Sequence, residues 1–232
     1  MLCILGLLTV VIGAAALRPL LDKRCRVVID PGHGGIDSGA VGTVTEAEMA
    51  EQTAAFLAAL LQEDGRFAVW QTREAGDGAE LSARCWTAKL HRAELLLSIH
   101  GNSAEDPSAR GFECYPAPPG REYHQQSRRF AELVAKRAAE AGLSLRGDNG
   151  VRYAYYSEDG RKELVDGTDG RVREEPSFGM VEHPGCPAVL AEQCFVTNPE
   201  DAAQFGTEAG SRKMAYQYYL AILDYFDLAP VS

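Results

Sequence analysis

Val27-Val28-Ile29-Asp30-Pro31-Gly32-His33-Gly34-Gly35-Ile36-Asp37-Ser38-Gly39 is the stretch around which this chain is organised. A short β-branched run stops at Asp-Pro-Gly and a histidine follows among glycines, so a buried strand is predicted to empty into a loop with little side-chain cover. Glycine admits positive φ and close backbone approach, which leaves an imidazole there open to a ligand. A strand-to-helix turn with a surface histidine is the plainer reading of this stretch alone. The rest of the chain decides between the two.

Downstream the pattern recurs. Glu94 to Ile99 is a continuous apolar run of the kind buried on both faces of a parallel sheet, and it ends in His100-Gly101-Asn102-Ser103. Pro187 to Ala191 is a further strand, and Glu192 follows at its carboxyl end. Phe67–Trp70 and Gly111–Pro116 also read as strands. Helices are expected from Thr45, over about residues 79–91, 122–141 and 207–226. This alternation predicts a single α/β domain: a mixed, mostly parallel sheet flanked by helices on both faces. In such sheets ligands sit beyond the carboxyl ends of the strands, so His33, His100 and Glu192 are placed on one rim.

The helix after the opening loop begins with Thr45-Glu46-Ala47-Glu48-Met49. Thr45 and Glu48 have capping-box spacing, which gives Glu48 a structural task. Glu46 falls at the first helical position, in line with Met49, Thr53, Phe56 or Leu57, and Leu60, the stripe that faces the core. Glu48 shares its face with Glu51 and Gln52. A carboxylate on the buried side needs a partner; the helix dipole supplies part of one, and a metal ion would supply more.

The 232 residues and 46% hydrophobic content suffice for one full core. Met1 to Leu17 carries no charge and ends in Ala14-Ala15-Ala16. As a helix its apolar part spans only about 24 Å, short of the roughly 30 Å hydrocarbon core, so residues 1–17 read as a signal peptide or signal anchor. Every charge lies after it, and the formal net charge of −10 disfavours nucleic acid and anionic lipid as partners. Cys3 lies in the apolar segment and five cysteines follow, with no Cys-x-x-Cys pair, so structural thiols are expected and a complete disulfide framework is not. Turn signals between 153 and 177 predict one or two exposed hairpins inserted in the core. His91 and His124 read as surface residues, and His183 is a reserve candidate for the site.

His33, Glu46 and His100 form a His₂Glu set able to bind one Zn²⁺ and keep a fourth position for water. Amide hydrolysis then needs a base for water and an acid for the leaving amine. Glu192 is placed to serve as both. Asp30, Asp37 and Asn102 are candidates to orient the histidines, although local turn capping explains each equally well.

Asp30-Pro31-Gly32-His33-Gly34-Gly35 with Asp37 and Gly39-Ala40, then Glu46, Thr72-Arg73, Leu81 with Arg84, Ser98-Ile99-His100 with Asn102, Gly111-Phe112-Glu113, and Leu190 with Glu192, Phe195 and Asn198, resemble the zinc-dependent N-acetylmuramoyl-L-alanine amidases of the AmiC and CwlV type. The resemblance runs over nearly all of residues 26 to 227 apart from 153–177. It implies a catalytic domain over 26–228 that cleaves the amide between the lactyl group of N-acetylmuramic acid and L-alanine. It also implies zinc on His33, Glu46 and His100, and Glu192 as the catalytic residue. The expected partner is peptidoglycan or a muropeptide, met outside the cytoplasm by a monomer that residues 2–17 tether to the membrane if they are not removed. Lys89, Cys194 and Gly101 depart from the family's usual asparagine, glycine and alanine. The competing readings are a zinc amidohydrolase or peptidase acting on another amide, and a wall-binding module without catalysis.

Overall fold

The structure, a computed structural model, describes residues 22–231; the segment read as a signal lies outside them. Strands β1 (Cys25–Pro31), β2 (Phe67–Gln71), β3 (Leu95–Asn102), β4 (Glu113–Pro116) and β7 (Ala188–Phe195) form one sheet in the order β2-β1-β3-β7-β4. All neighbours are parallel except β4, which runs antiparallel to β7. The mixed, mostly parallel sheet expected from the alternation of elements is therefore present.

Side-chain alternation along the strands sends successive residues to opposite faces and builds two cores. Val27, Ile29, Leu95, Leu97, Ile99, Val189 and Ala191 face α1 (Glu46–Asp64), α3 (His124–Glu140) and α6 (Glu208–Tyr225), where Leu57, Phe130, Val134, Tyr218 and Ile222 complete the larger cluster. Val28, Leu96, Ala188 and Leu190 face α2 (Leu81–Leu90), the single-turn α4 (Gly179–Glu182) and the hairpin of β5 (Arg152–Tyr156) with β6 (Lys162–Asp166). A further turn, α5 (Pro199–Asp201), is capped by the Asn198 side chain, which accepts from the amides of Glu200 and Asp201. Among the described residues no helix is long and apolar enough to cross a membrane.

Several local expectations change. The predicted 153–177 insertion is one hairpin followed by a loop, and it is only partly exposed: Tyr153, Ala154 and Tyr155 are buried. Thr45 stands at the N-cap of α1 but its side chain caps nothing. The first amides are taken instead by the preceding loop, Glu46 N donating to Ala40 O at 3.0 Å and Ala47 N to Ser38 O at 3.1 Å, so the capping box is not needed. Thr207 does cap α6, accepting from Gly210 N at 3.2 Å. His124 is half-buried, packed on Tyr153 with its Nδ1 2.9 Å from Ala117 O. His91 is half-covered by stacking on Trp70. Cys25, Cys85, Cys114, Cys186 and Cys194 are all free thiols, as their spacing suggested.

At the carboxyl end of β1 sits Asp30, 1% exposed. It accepts from Thr72 Oγ1 after β2 at 2.5 Å, from Ser98 Oγ in β3 at 2.6 Å and from Arg84 Nη1 in α2 at 2.8 Å. Breaking one side of a buried ion pair leaves the other charge uncompensated. Asp30→Ala is therefore expected to lower stability by about 3–5 kcal/mol in urea unfolding. Ser98→Ala, which removes a single donor to that carboxylate, is expected to lower it by about 1.5–3 kcal/mol.

Candidate metal centre and active site

The loop after β1 holds His33 at φ 55°, a left-handed conformation that a non-glycine residue adopts only under outside constraint. That constraint is two buried arginines. Arg84 Nη2 donates to His33 O at 2.5 Å and its Nη1 to Pro31 O at 2.7 Å. Arg73 donates to Pro31 O at 3.0 Å and Gly32 O at 2.9 Å, and its other end is held by Glu51. Glu51 was expected to share an outward face with Glu48; turning to Arg73 makes it part of the loop's support. Gly34 and Asp37 close the turn with reciprocal backbone bonds of 2.8 and 3.1 Å.

Glu46, at the first position of α1, is 4% exposed, whereas Glu48 is exposed. Its Oε1 lies 3.0 Å from His33 Nε2 and 2.8 Å from His100 Nδ1, and it accepts from Gly101 N at 3.1 Å. Its Oε2 accepts from Ala40 N at 2.8 Å. The three donor atoms lie within 4.8 Å of one another. Two nitrogens and one carboxylate oxygen in that volume suit a single zinc ion with bonds of about 2.0–2.2 Å. His33 Nδ1 lies 2.8 Å from Asp37 Oδ2, and the other Asp37 oxygen accepts from Gly39 N at 3.0 Å, so Asp37 both orients the imidazole and caps the turn. The other two proposed orienters do not touch a histidine: Asp30 is occupied at the root of the loop, and Asn102 donates to Glu113 at 2.6 Å.

Two glycines make room for this cluster. A Cβ on Gly32 would collide with the His100 ring, and one on Gly39 would stand 2.6 Å from both Glu46 Oε2 and His33 Cδ2. The space that glycine was expected to leave for a ligand is here filled by the side chains of His33, Glu46 and His100 themselves. A Cβ on Gly101, where the family favours alanine, would stand 2.8 Å from both Met49 Cε and Val196 Cγ1, which suits the smaller residue.

Strands β3 and β7 are longer than predicted, so His100 and Glu192 lie within the paired region and not just after it. They are register partners, and Glu113 of β4 is the register partner of Glu192 on its other side. His100, Glu192 and Glu113 thus form a row across three strands, on the face that carries the smaller core. Past the row, His100–Asn102 pairs with Glu192–Phe195, so β7 contains an extra residue that bends its end away.

Electrostatics divide the carboxylates. Burial alone would raise Glu46, but its bonds to His100 and His33 hold it well below the ordinary carboxylate range. His33 is pushed up to about 9, chiefly by its bond to Glu46, so a metal ion binding there would have to displace a proton. Glu192 is pushed up to about 7 by burial; Glu46 and Glu113 add to this, while His100 and Lys162 oppose it. Its Oε2 is buried without a hydrogen-bond partner among the described residues.

The N-acetylmuramoyl-L-alanine amidase family model, Amidase_3, matches residues 27–224. The chain belongs to the N-acetylmuramoyl-L-alanine amidase family. Among its relatives, AmiC of Escherichia coli O6:H1 is 24% identical over 229 residues, covering 88% of this chain and 54% of that protein, so the chain spans about half of that relative's length. AmiA of Escherichia coli K12 is 28% identical over 222 residues, covering 86% of this chain and 75% of the relative. The catalytic domain of CwlV, an N-acetylmuramoyl-L-alanine amidase from Bacillus (Paenibacillus) polymyxa, superposes with a TM-score of 0.67 at 28% identity, covering 88% of this chain and 99% of that domain.

For this amidase-family chain the sequence reading missed the supporting groups. Arg73 and Arg84 entered only as motif positions, yet they are 6% and 7% exposed and hold the His33 loop. The available signal was Arg84 beside Cys85 and Ala88 on the core side of a helix, where a charge demands a buried partner such as Asp30. His183, the reserve candidate, is exposed beside Lys89 and Arg121 and takes no part in the cluster. Glu46→Ala is expected to abolish stoichiometric zinc binding, read by metal analysis after dialysis, whereas Glu48→Ala and His183→Ala keep it. Loss of zinc in Glu48→Ala would reverse the assignment.

Proposed function

We propose that the chain is a zinc-dependent hydrolase of peptidoglycan that cleaves the amide joining the lactyl group of N-acetylmuramic acid to L-alanine. Membership of the amidase family supports the bond. One observation carries the mechanism: His100 of a compact His33–Glu46–His100 donor set is the register partner, one strand away, of a half-buried Glu192 whose Oε2 has no hydrogen-bond partner among the described residues. Zinc held by that set would lower the pKa of a water and polarise the amide carbonyl. Glu192 then takes the proton from the attacking water and passes it to the leaving nitrogen, the two tasks of a general base and acid. Burial suits it to both, since a carboxyl near about 7 gives up a proton as readily as it takes one at neutral pH. Asp37 keeps the His33 ring turned with Nε2 toward Glu46, so the donor set is in place before substrate arrives.

A chain that acts on peptidoglycan works outside the cytoplasm, and residues 1–17, outside the described region, suit an export signal or a membrane tether. We read the enzyme as a monomer, because the donor set and Glu192 come from one chain.

Glu192→Gln is expected to reduce kcat on muropeptides by about 10²–10⁴-fold with zinc content unchanged. Product analysis should show new amino-terminal L-alanine; new reducing sugar ends would overturn the amidase assignment. A group whose pKa is raised becomes ionised only at higher pH, so kcat/KM of the native enzyme should fall on the acid side. A bound cation favours the ionised form, which puts that limb at or below pH about 7. A rate that instead rises as the pH drops through this range would remove Glu192 as the base.

A further inference from the structure

The row of His100, Glu192 and Glu113 ends in a charge arrangement that zinc chemistry does not require. Glu113 is 2% exposed, and its Oε2 accepts from two guanidinium groups, Arg152 Nη1 at 3.0 Å and Arg146 Nε at 3.2 Å. Burial would raise this carboxyl, but the Tyr115 hydroxyl and the two arginines outweigh it and hold it ionised. One arginine neutralises one carboxylate, so the cluster keeps a net positive charge. It also keeps unused donors. Arg152 Nε is buried with no partner among the described residues, and neither Nη2 bonds to any of them. The Arg146 guanidinium carbon lies over Phe195, 4.7 Å from the ring centre, with a third of the arginine side chain exposed.

Both arginines are held beside the row by the fold. Arg152 opens β5, whose alternation sends Arg152, Ala154 and Tyr156 to one side, and Ala154 joins the smaller core under the row. Adjacent strands lie about 4.8 Å apart, which puts Glu113 about 10 Å from His100 across the sheet. An extended peptide advances about 3.3–3.6 Å per residue, so the pair faces substrate atoms roughly one to three residues from the bond being cut.

We propose that Arg146 and Arg152 form a carboxylate subsite for the peptide side of the substrate, with the β5–β6 hairpin as the wall along which the peptide runs. This rests on the amidase reading above and adds the direction of binding. In that substrate the lactyl carboxyl is consumed in the scissile amide and the neighbouring sugars are neutral, so the remaining anions belong to the peptide. A planar guanidinium pair matches a carboxylate in geometry as well as charge.

The test is calorimetric titration of the zinc-loaded chain with L-Ala-γ-D-Glu-L-Lys amide, whose glutamyl α-carboxylate is free, and with the same peptide carrying that group as an amide. The free acid is expected to bind about 10- to 100-fold tighter, the loss of one charge-assisted contact. Arg152→Gln and, independently, the more exposed Arg146→Gln should reduce this preference to below about threefold with little change in binding of the amidated form, and Arg152→Lys should retain part of it. Equal binding of the two peptides by the native chain, or variants that weaken both peptides alike, would overturn the subsite. Failure of the amidase reading looks different: a preference for the free acid with no cleavage of muropeptides leaves the subsite standing, and cleavage without a preference removes only the subsite.

Discussion

One buried carboxylate holds this architecture together at the place where it has to be exact. Asp30 ends the central part of β1 with no water to solvate it, so its charge has to be met by protein donors. Those donors come from three elements at once: Thr72 after β2, Ser98 in β3 and Arg84 in α2. Arg84 then spends its other N–H groups on Pro31 and His33 carbonyls. The demand of a single charge for partners therefore becomes a positional constraint on a glycine-rich loop that would otherwise have few contacts. His33 in a left-handed conformation is the visible consequence.

The site follows from how that constraint meets the sheet. His100 and Glu192 sit on neighbouring strands in register, and Glu46 reaches His100 and His33 from the first turn of a helix whose buried face anchors the larger core. Two of the candidate ligands, His100 and Glu46, thus ride on elements fixed by apolar packing, and the third, His33, on a loop held by Arg73 and Arg84. The same arrangement drives two carboxyl groups apart. Glu46, between two imidazoles, stays ionised, and Glu192, half-buried with no partner for its Oε2 among the described residues, is shifted toward neutrality. Two identical functional groups acquire different chemistry from their surroundings alone.

Beyond Glu192 the row continues into Glu113 and its arginines, and the hairpin that supplies Arg152 packs onto the smaller core. Arg152, the residue immediately before the insertion that interrupts the family resemblance, thereby ties the root of that insertion to Glu113 through an ion pair. Cys194 sits on the opposite face of β7, against Met49, so its replacement of the family's glycine is a matter of core packing and not of the site.

Much of this was readable from residue order. The β-branched and leucine runs that stop at Asp30, His100 and Glu192 announce parallel strands with polar ends, because continuous apolar runs can be buried on both faces only in a sheet covered by helices. Glu46 was distinguishable from Glu48 because helical periodicity turns one inward and the other outward, even though the expected Thr45 cap does not form. What local pattern could not supply was the identity of long-range partners. Asp37 next to His33 was within reach, being four residues away, but the pairing of Asp30 with Arg84 spans 54 positions and that of Glu113 with Arg152 spans 39. Sequence alone determined which polar residues lie toward the carboxyl ends of the strands and which carboxylate lies on the buried helix face. Only the tertiary structure decided which buried charges meet, since a charge is satisfied by whatever the folded chain brings within a few ångströms, and neither periodicity nor spacing encodes that.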